Sequence, residues 1–203
     1  MHYLRTLIVL ILCFSCDPSG PLDSGPLKTS NGSAYHWIPR RFPIKVMVLN
    51  TLPEDLKANL LVATGIWTDL VGAQVFDVHE VDSSFPMADT GVAMRGYIMV
   101  NQQDLGSNTY GRIRGLAEVH TMPGNLGLYG EIHSAHLWYD NDYLNDLTSV
   151  SIGVHELGHC LGLTHDRHDQ TSIMWFNVSN EAQVQQEDIV YVRNQMDFLV
   201  DIP

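Results

Sequence analysis

The sequence predicts a single domain of mixed α/β (α+β) class. The chain has 203 residues, of which 45% are hydrophobic and 17% charged, values typical of a globular protein with a sizeable core. From residue 35 onward, segments with strand-like alternation of apolar residues are interspersed with segments of helix-like spacing. Only three cysteines are present, so no disulfide framework is expected, and residues 35–203 are predicted to fold around an apolar core.

The first half of this domain is predicted to run strand, helix, strand, strand. Residues 44–49 alternate as a strand, and residues 50–55 offer a helix start with Pro53 in the first turn. Strands are expected again at 74–81 and 97–101. The intervening helix should span about 18 residues, with an apolar face formed by Leu56, Leu60, Leu61, Ala63, Ile66, Trp67 and Leu70.

The second half is predicted to contain two more strands, at 115–124 and 132–139, and a final helix at 184–196. Between them, residues 139–146 are rich in Asp and Asn. This run lacks the spacing and the glycine of an EF-hand, so a turn and helix cap is favoured there and calcium is not expected.

The run HELGHCLGLTH, beginning at His155, carries the chemistry. On a helix, His155 and His159 lie one turn apart on the same face and can bind one metal ion. Glu156 lies about 100° further round, where a general base acting on zinc-bound water belongs. Gly162 can end the helix with a positive φ, which lets His165 turn back as a third ligand. The pattern predicts one zinc ion.

The alternative is an amphipathic helix whose histidines are hydrogen-bonded core residues. A bare HExxH is a modest signal in a chain with ten histidines. Requiring Gly162 and His165 as well lowers the chance of an accidental match roughly 260-fold on this composition. The core-helix alternative gives no reason for either residue.

This run resembles that of the metzincin zinc endopeptidases, in which the same pattern is followed by a turn containing methionine. Met174, nine residues after His165, matches that position. By resemblance, Met174 packs beneath the three zinc-bound imidazoles. The resemblance extends over about residues 35–196. It implies a twisted mixed sheet with an edge strand, two long helices, and a small C-terminal subdomain with a final helix.

Leu116 and Ala117 resemble the pair on the edge strand of matrixin-type metzincins, which binds extended substrate through backbone hydrogen bonds. The unpaired N–H and C=O groups of an edge strand can accept an added peptide strand. The alternative is an ordinary edge strand that binds no ligand.

Some features depart from the matrixin pattern. Vertebrate matrixins carry a second, structural zinc, but the spacings of His120, His133 and His136 do not match its ligands, so a second zinc is not expected. Asp166 stands where matrixins usually have serine and adamalysin-like enzymes have aspartate. The layout is therefore matrixin-like, while the subfamily stays open.

The N-terminus predicts a location outside the cytoplasm. The apolar run at residues 7–14 is too short to span a bilayer and has the length of a signal-peptide core. We therefore assign residues 1–16 to a signal peptide and residues 17–34 to a flexible linker. Cys16 resembles the lipidated cysteine of bacterial lipoproteins, which would give a membrane tether; cleavage near Cys16 without lipidation is the alternative. The formal charge of −12 argues against nucleic acid as a partner.

Together these features predict an extracytoplasmic, monomeric zinc endopeptidase that hydrolyses protein or peptide substrates, with Glu156 as its general base. The alternative from another class is a non-catalytic, zinc-stabilised surface protein that binds peptides or proteins. That alternative explains the histidines but gives Glu156 no role.

Overall fold

The computed structural model describes residues 25–28, 32–85, 96–108, 111–121, 130–142, 148–177, 179 and 181–197. The predicted signal peptide at 1–16, including Cys16, lies outside the described residues, as does the first part of the predicted linker. The strands are β1 (Ile44–Leu49), β2 (Phe76–Val81), β3 (Tyr97–Gln103), β4 (Ser107–Asn108), β5 (Gly111–Arg112), β6 (Gly115–Thr121) and β7 (Ile132–Asp140). The helices are α1 (Glu54–Val71), α2 (Thr148–Cys160) and α3 (Gln186–Asp197), with a 3-10 turn at Pro39–Arg41.

Five of the strands form a mixed sheet in the order β2-β1-β3-β7-β6. The first four are parallel to one another, and β6 pairs antiparallel with β7 at the edge. This confirms the predicted mixed sheet with an edge strand. The sequence did not predict the short β4–β5 hairpin, which lies between β3 and the edge strand.

Helix α1 has the predicted length of 18 residues and ends at Gly72, whose φ of 77° closes the helix. Leu56, Leu60 and Trp67 are buried as predicted. The prediction was wrong for Leu61, which is 55% exposed. Leu61 lies about 140° round the helix from Leu56 and therefore faces away from the core. Leu70, also predicted to be buried, is 39% exposed.

Helix α3 begins two residues later than predicted because Gln185 acts as its cap. The Gln185 N–H donates to Asp188 Oδ2 (3.3 Å), so a side chain in the first turn satisfies the backbone at the cap. Arg193 on α3 donates to the carbonyls of Val71 and Leu70, joining this helix to the end of α1. No helix among the described residues is long and apolar enough to span a membrane.

Candidate metal centre and active site

Helix α2 carries the first two histidines of the motif. His155 and His159 are only 3% and 1% exposed, and their Nε2 atoms lie 3.0 Å apart. The shared face that the four-residue spacing predicted is therefore present. On the α1 side, Trp67 Nε1 donates to the carbonyl of Val154 (3.0 Å), which fixes the helix immediately before His155.

The turn after α2 brings the third histidine back. Gly162 has a φ of 93°, and the N–H groups of Gly162 and Leu163 donate to the carbonyls of His159 and Gly158. This pair of bonds is the usual closure of a helix that ends on a glycine with positive φ. As a result, His165 Nε2 lies 3.2 Å from His159 Nε2. We call His155, His159 and His165 the primary cluster.

Hydrogen bonds on the far side of two rings fix their tautomers. His155 Nδ1 lies 2.6 Å from Ile173 O, and His159 Nδ1 lies 2.8 Å from Leu163 O. A carbonyl only accepts, so each Nδ1 carries the proton and each Nε2 presents a lone pair. Lone pairs that face one another at these distances repel unless a cation lies between them. The primary cluster therefore fits a metal ion.

The geometry and charge state of the primary cluster suit zinc. Nitrogen ligands about 2.0–2.1 Å from a tetrahedral zinc lie about 3.3 Å apart, close to the separations found here. Burial lowers the pKa of His155 to about 4 and that of His165 to about 3, and it also lowers the pKa of His159. All three rings are therefore neutral near pH 7, as metal ligands must be.

Glu156 directly follows His155 on α2 and is buried, with 1% of its surface exposed. Burial raises its pKa to about 8, and a hydrogen bond from the Ala117 N–H on β6 opposes that rise. Oε2 has no hydrogen-bond partner among the described residues. A Cβ added at Gly115 would lie 2.7 Å from Glu156 Oε1, so the glycine makes room for the carboxylate. Sequence reasoning missed this role of Gly115.

Met174 is 1% exposed and lies in a turn between α2 and α3. The turn is closed by a bond from the Trp175 N–H to Ser172 O (3.0 Å). Met174 packs against α2 at Gly158, where an added Cβ would lie 2.5 Å from its Sδ. Gly158 lies between the two helical histidines in the sequence, and the neighbouring Ile173 O is bonded to His155, so the turn packs against this part of α2. Gly158 was also missed, although glycine in a helix interior often marks a close contact.

Leu116 and Ala117 lie on β6, which pairs with β7 on one side and has no strand on its other side among the described residues. Leu116 is partly exposed, whereas Ala117 is fully buried. The structure links this strand to the site through the bond from Ala117 to Glu156.

A second group of candidate ligands lies on β6 and β7. Ligand atoms of Glu118, His120 and His136 lie within 4.8 Å of one another, as do those of the primary cluster. We call these three residues the edge cluster. His133, considered with them from the sequence, does not join it. Glu118 was missed because its place depends on its pairing with His136 across the strands.

A model of the Matrixin family (peptidase M10) matches residues 89–195, more than half of the 203-residue chain. The matched region includes β3, the edge strand, α2 with the primary cluster, and the turn that contains Met174. A search of curated proteins found no match. The three converging histidines agree with this match. Because the family model covers more than half of the chain, the chain belongs to the matrixin family.

Proposed function

We propose that this protein is a zinc-dependent endopeptidase that acts outside the cytoplasm. The observation that carries the proposal is the convergence of three neutral imidazoles, together with the buried carboxylate of Glu156 on the same helix. Membership of the matrixin family supports the same chemistry. The non-catalytic alternative gives no reason to bury a carboxylate beside the ligands, where it costs free energy.

His155, His159 and His165 are the residues that would hold zinc. Three ligands of four leave one tetrahedral position for water or substrate, as in catalytic rather than structural zinc sites. When bound, zinc supplies a Lewis acid that acidifies water and polarises the carbonyl of the scissile peptide. The buried Met174 turn contributes by accepting the His155 Nδ1–H at Ile173 O, which orients that ring.

Glu156 is proposed as the general base and then the general acid. The Ala117 N–H holds the carboxylate, and Oε2 is left to accept a proton from water. The same carboxyl group then delivers that proton to the leaving amine. Burial raises its pKa, whereas a cation held by the three histidines would lower it.

We propose that an extended peptide binds along β6 at Leu116 and Ala117. The outer edge of β6 offers backbone groups for an added strand. Because the Ala117 N–H is already bonded to Glu156, substrate must pair with the other backbone groups of this strand.

The extracytoplasmic location rests on residues 1–16, and a membrane tether rests on Cys16. We expect the mature chain to partition into detergent if Cys16 is acylated. Cys16→Ser should then move it to the aqueous phase. Mass spectrometry of the mature N-terminus distinguishes lipidation from simple cleavage.

The experiment that tests catalysis is cleavage of casein or a quenched peptide library, with and without a chelator. We expect chelator-sensitive cleavage, and we expect Glu156→Gln to lower kcat by about 10²–10⁴-fold while zinc content is unchanged. His79→Ala, which alters an exposed histidine on β2, is the matched control and should remain active. Full activity in Glu156→Gln would overturn the role of Glu156, whereas a wild-type protein that binds zinc but cleaves no peptide would leave the zinc-stabilised binding protein.

A further inference from the structure

A short segment before the first strand contacts the turn that carries the third histidine. We call residues 25–28 and 32–37 the N-terminal strap. The Leu27 N–H donates to Gly162 O (2.7 Å), and Pro26 pairs with Leu163 in an isolated antiparallel bridge. Residues 25–28 fall within the stretch that the sequence suggested as a flexible linker, yet they are hydrogen-bonded to the metal centre's own turn.

The strap also fixes the residue immediately before His165. Gly25 O accepts two hydrogen bonds from Thr164, one from its backbone N–H (2.9 Å) and one from its Oγ1 (3.0 Å). Gly25 has a φ of 117°, which residues with a Cβ rarely adopt. The direction of the Gly25 carbonyl therefore depends on glycine at this position.

The rest of the strap closes the end of α2. Trp37 Nε1 donates to Cys160 O (2.8 Å), satisfying a carbonyl that the helix end leaves without a partner. Tyr35 O lies so close to Gly162 that an added Cβ would approach it to 2.5 Å. Tyr35 O also accepts a hydrogen bond from Tyr191 OH on α3, so the strap is itself anchored.

On its other side, His165 is held by a different element. The Asp166 N–H donates to Met174 O (2.8 Å), and Asp166 pairs with Trp175 in an isolated bridge. The two residues that flank His165 are thus held by the strap and by the methionine turn. His155 and His159 need no such support because the backbone of α2 fixes them.

We propose that the N-terminal strap is a positioning element of the metal centre, which holds His165 ready to bind zinc before the metal arrives. This inference rests on the zinc site of the proposed function. A ligand on an unsupported turn must be ordered when the metal binds, which costs conformational entropy. The strap orders this turn when the protein folds, before zinc binds. Its loss should therefore lower zinc affinity even though His155 and His159 are unchanged.

The test compares zinc dissociation constants of full-length proteins, measured by competition with a chromogenic chelator. Gly25→Ala strains the backbone that aims the Gly25 carbonyl, and Leu27→Pro removes the N–H donated to Gly162 O. We expect either change to weaken zinc binding roughly tenfold, the lower end of the effect seen when groups that orient metal ligands are removed. Thr164→Val removes the Oγ1 bond to Gly25 O (3.0 Å) together with a weaker one to His165 O (3.4 Å), while the backbone bond to Gly25 O is kept. It should therefore weaken zinc binding less, by about twofold to fivefold.

Gly106→Ala is the matched control, because Gly106 also has a positive φ (69°) and open space around it but lies in the loop after β3. If backbone strain outside the strap does not alter zinc affinity, Gly106→Ala should bind zinc within about twofold of wild type. The thermal stability of each metal-free protein is measured alongside, so that a folding defect is separated from a metal defect.

Unchanged zinc affinity in both Gly25→Ala and Leu27→Pro, with or without a lower melting temperature, would overturn the proposal and leave the strap a structural element only. If Leu27→Pro fails to fold, Gly25→Ala and Thr164→Val decide the outcome. A wild-type chain that binds no zinc overturns the proposed function and the strap inference together. Zinc binding that depends on the strap, in a protein with no peptidase activity, supports the strap and contradicts only the proposed function.

Discussion

Two groups of side chains in this protein each bring three candidate metal ligands within 4.8 Å, yet their surroundings differ. In the primary cluster, His155 and His159 are almost fully buried, and the Nδ1 of each is bonded to a backbone carbonyl. In the edge cluster, the Glu118 and His120 side chains are 17% and 16% exposed, and the nearest pair of ligand atoms between them is 3.8 Å apart.

Proximity is common to the two clusters, and the surroundings of their rings distinguish them. In the primary cluster, backbone carbonyls fix the tautomers of His155 and His159. The turn at Gly162 and the strap orient His165, so that its Nε2 lies 3.2 Å from that of His159. In the edge cluster, the Nε2 atoms of His120 and His136 are buried and lack a hydrogen-bond partner among the described residues. Their rings face each other edge-on, with centroids 5.1 Å apart. We expect tight binding of one zinc ion, at the primary cluster.

The largest expected effect distinguishes the two clusters directly. His159→Ala removes a ligand that is 1% exposed and should weaken zinc binding by more than about 100-fold, since removing a group that merely orients a ligand costs 10–100-fold. His136→Ala should leave one zinc per chain and peptidase activity in place. Metal analysis after dialysis measures both. A second tightly bound equivalent in wild type that His136→Ala eliminates would contradict the comparison.

A second test concerns the strand that connects the clusters. Gly115→Ala places a Cβ 2.7 Å from Glu156 Oε1 and 2.8 Å from Ile152 Cγ2, so the carboxylate must move. Misplacing a catalytic group by about 1 Å can cost about 100-fold in rate, and we expect a fall in kcat of that order with zinc content unchanged.

The control for this substitution is Gly65→Ala in α1, where no atom lies within 4 Å of the added Cβ. That change should keep activity and stabilise the helix by up to about 1 kcal/mol. Equal kcat values for Gly115→Ala and wild type would show that Gly115 does not position Glu156.

A smaller effect is expected where Met174 meets the zinc helix. Gly158→Ala brings a Cβ to 2.5 Å from Met174 Sδ and 3.3 Å from Trp67 Cζ2. Overpacking of this kind costs about 1–3 kcal/mol, partly offset by the better helix propensity of alanine. Urea unfolding of the metal-free protein measures the loss. Combining Gly158→Ala with Met174→Ala should recover part of it, and failure to recover any would show that the methionine is not the contact that matters.

The residues changed in these tests also show which features could be predicted from the sequence. The alternation at residues 44–49 and the apolar spacing along α1 predicted elements close to those found, because periodicity depends only on neighbouring residues. The candidate ligands His155 and His159 followed from a fixed spacing on a helix, and His165 followed from the glycine that ends it. Glu118 and Gly115 could not be found in this way, since their contacts depend on strand register and on how α2 packs against β6. The strap was missed because its bonds to the turn and to α2 join residues more than 120 apart in the chain.

The smallest expected effect is a pH dependence that reports on the edge cluster. Burial, together with the charge of His120, lowers the pKa of His136 to about 4. The pKa of His136 in the folded protein therefore lies below its unfolded value of about 6.5. Between about pH 4 and pH 6.5 the unfolded chain binds more protons than the folded protein. This contribution to stability is therefore present above about pH 6.5 and is lost as the pH falls towards 4. Between pH 7 and pH 5 it amounts to about 1–2 kcal/mol, allowing for the partial exposure of the ring.

His136→Gln should reduce the pH dependence of stability by this amount, while the buried histidines of the primary cluster keep their own share. Urea unfolding of wild type and variant at pH 7 and pH 5 measures the difference. Performing the same titration with zinc sharpens the comparison. Zinc bound only at the primary cluster stabilises wild type and His136→Gln equally, because both keep the same three ligands. If zinc instead stabilised wild type more than His136→Gln, the edge cluster would also bind the metal.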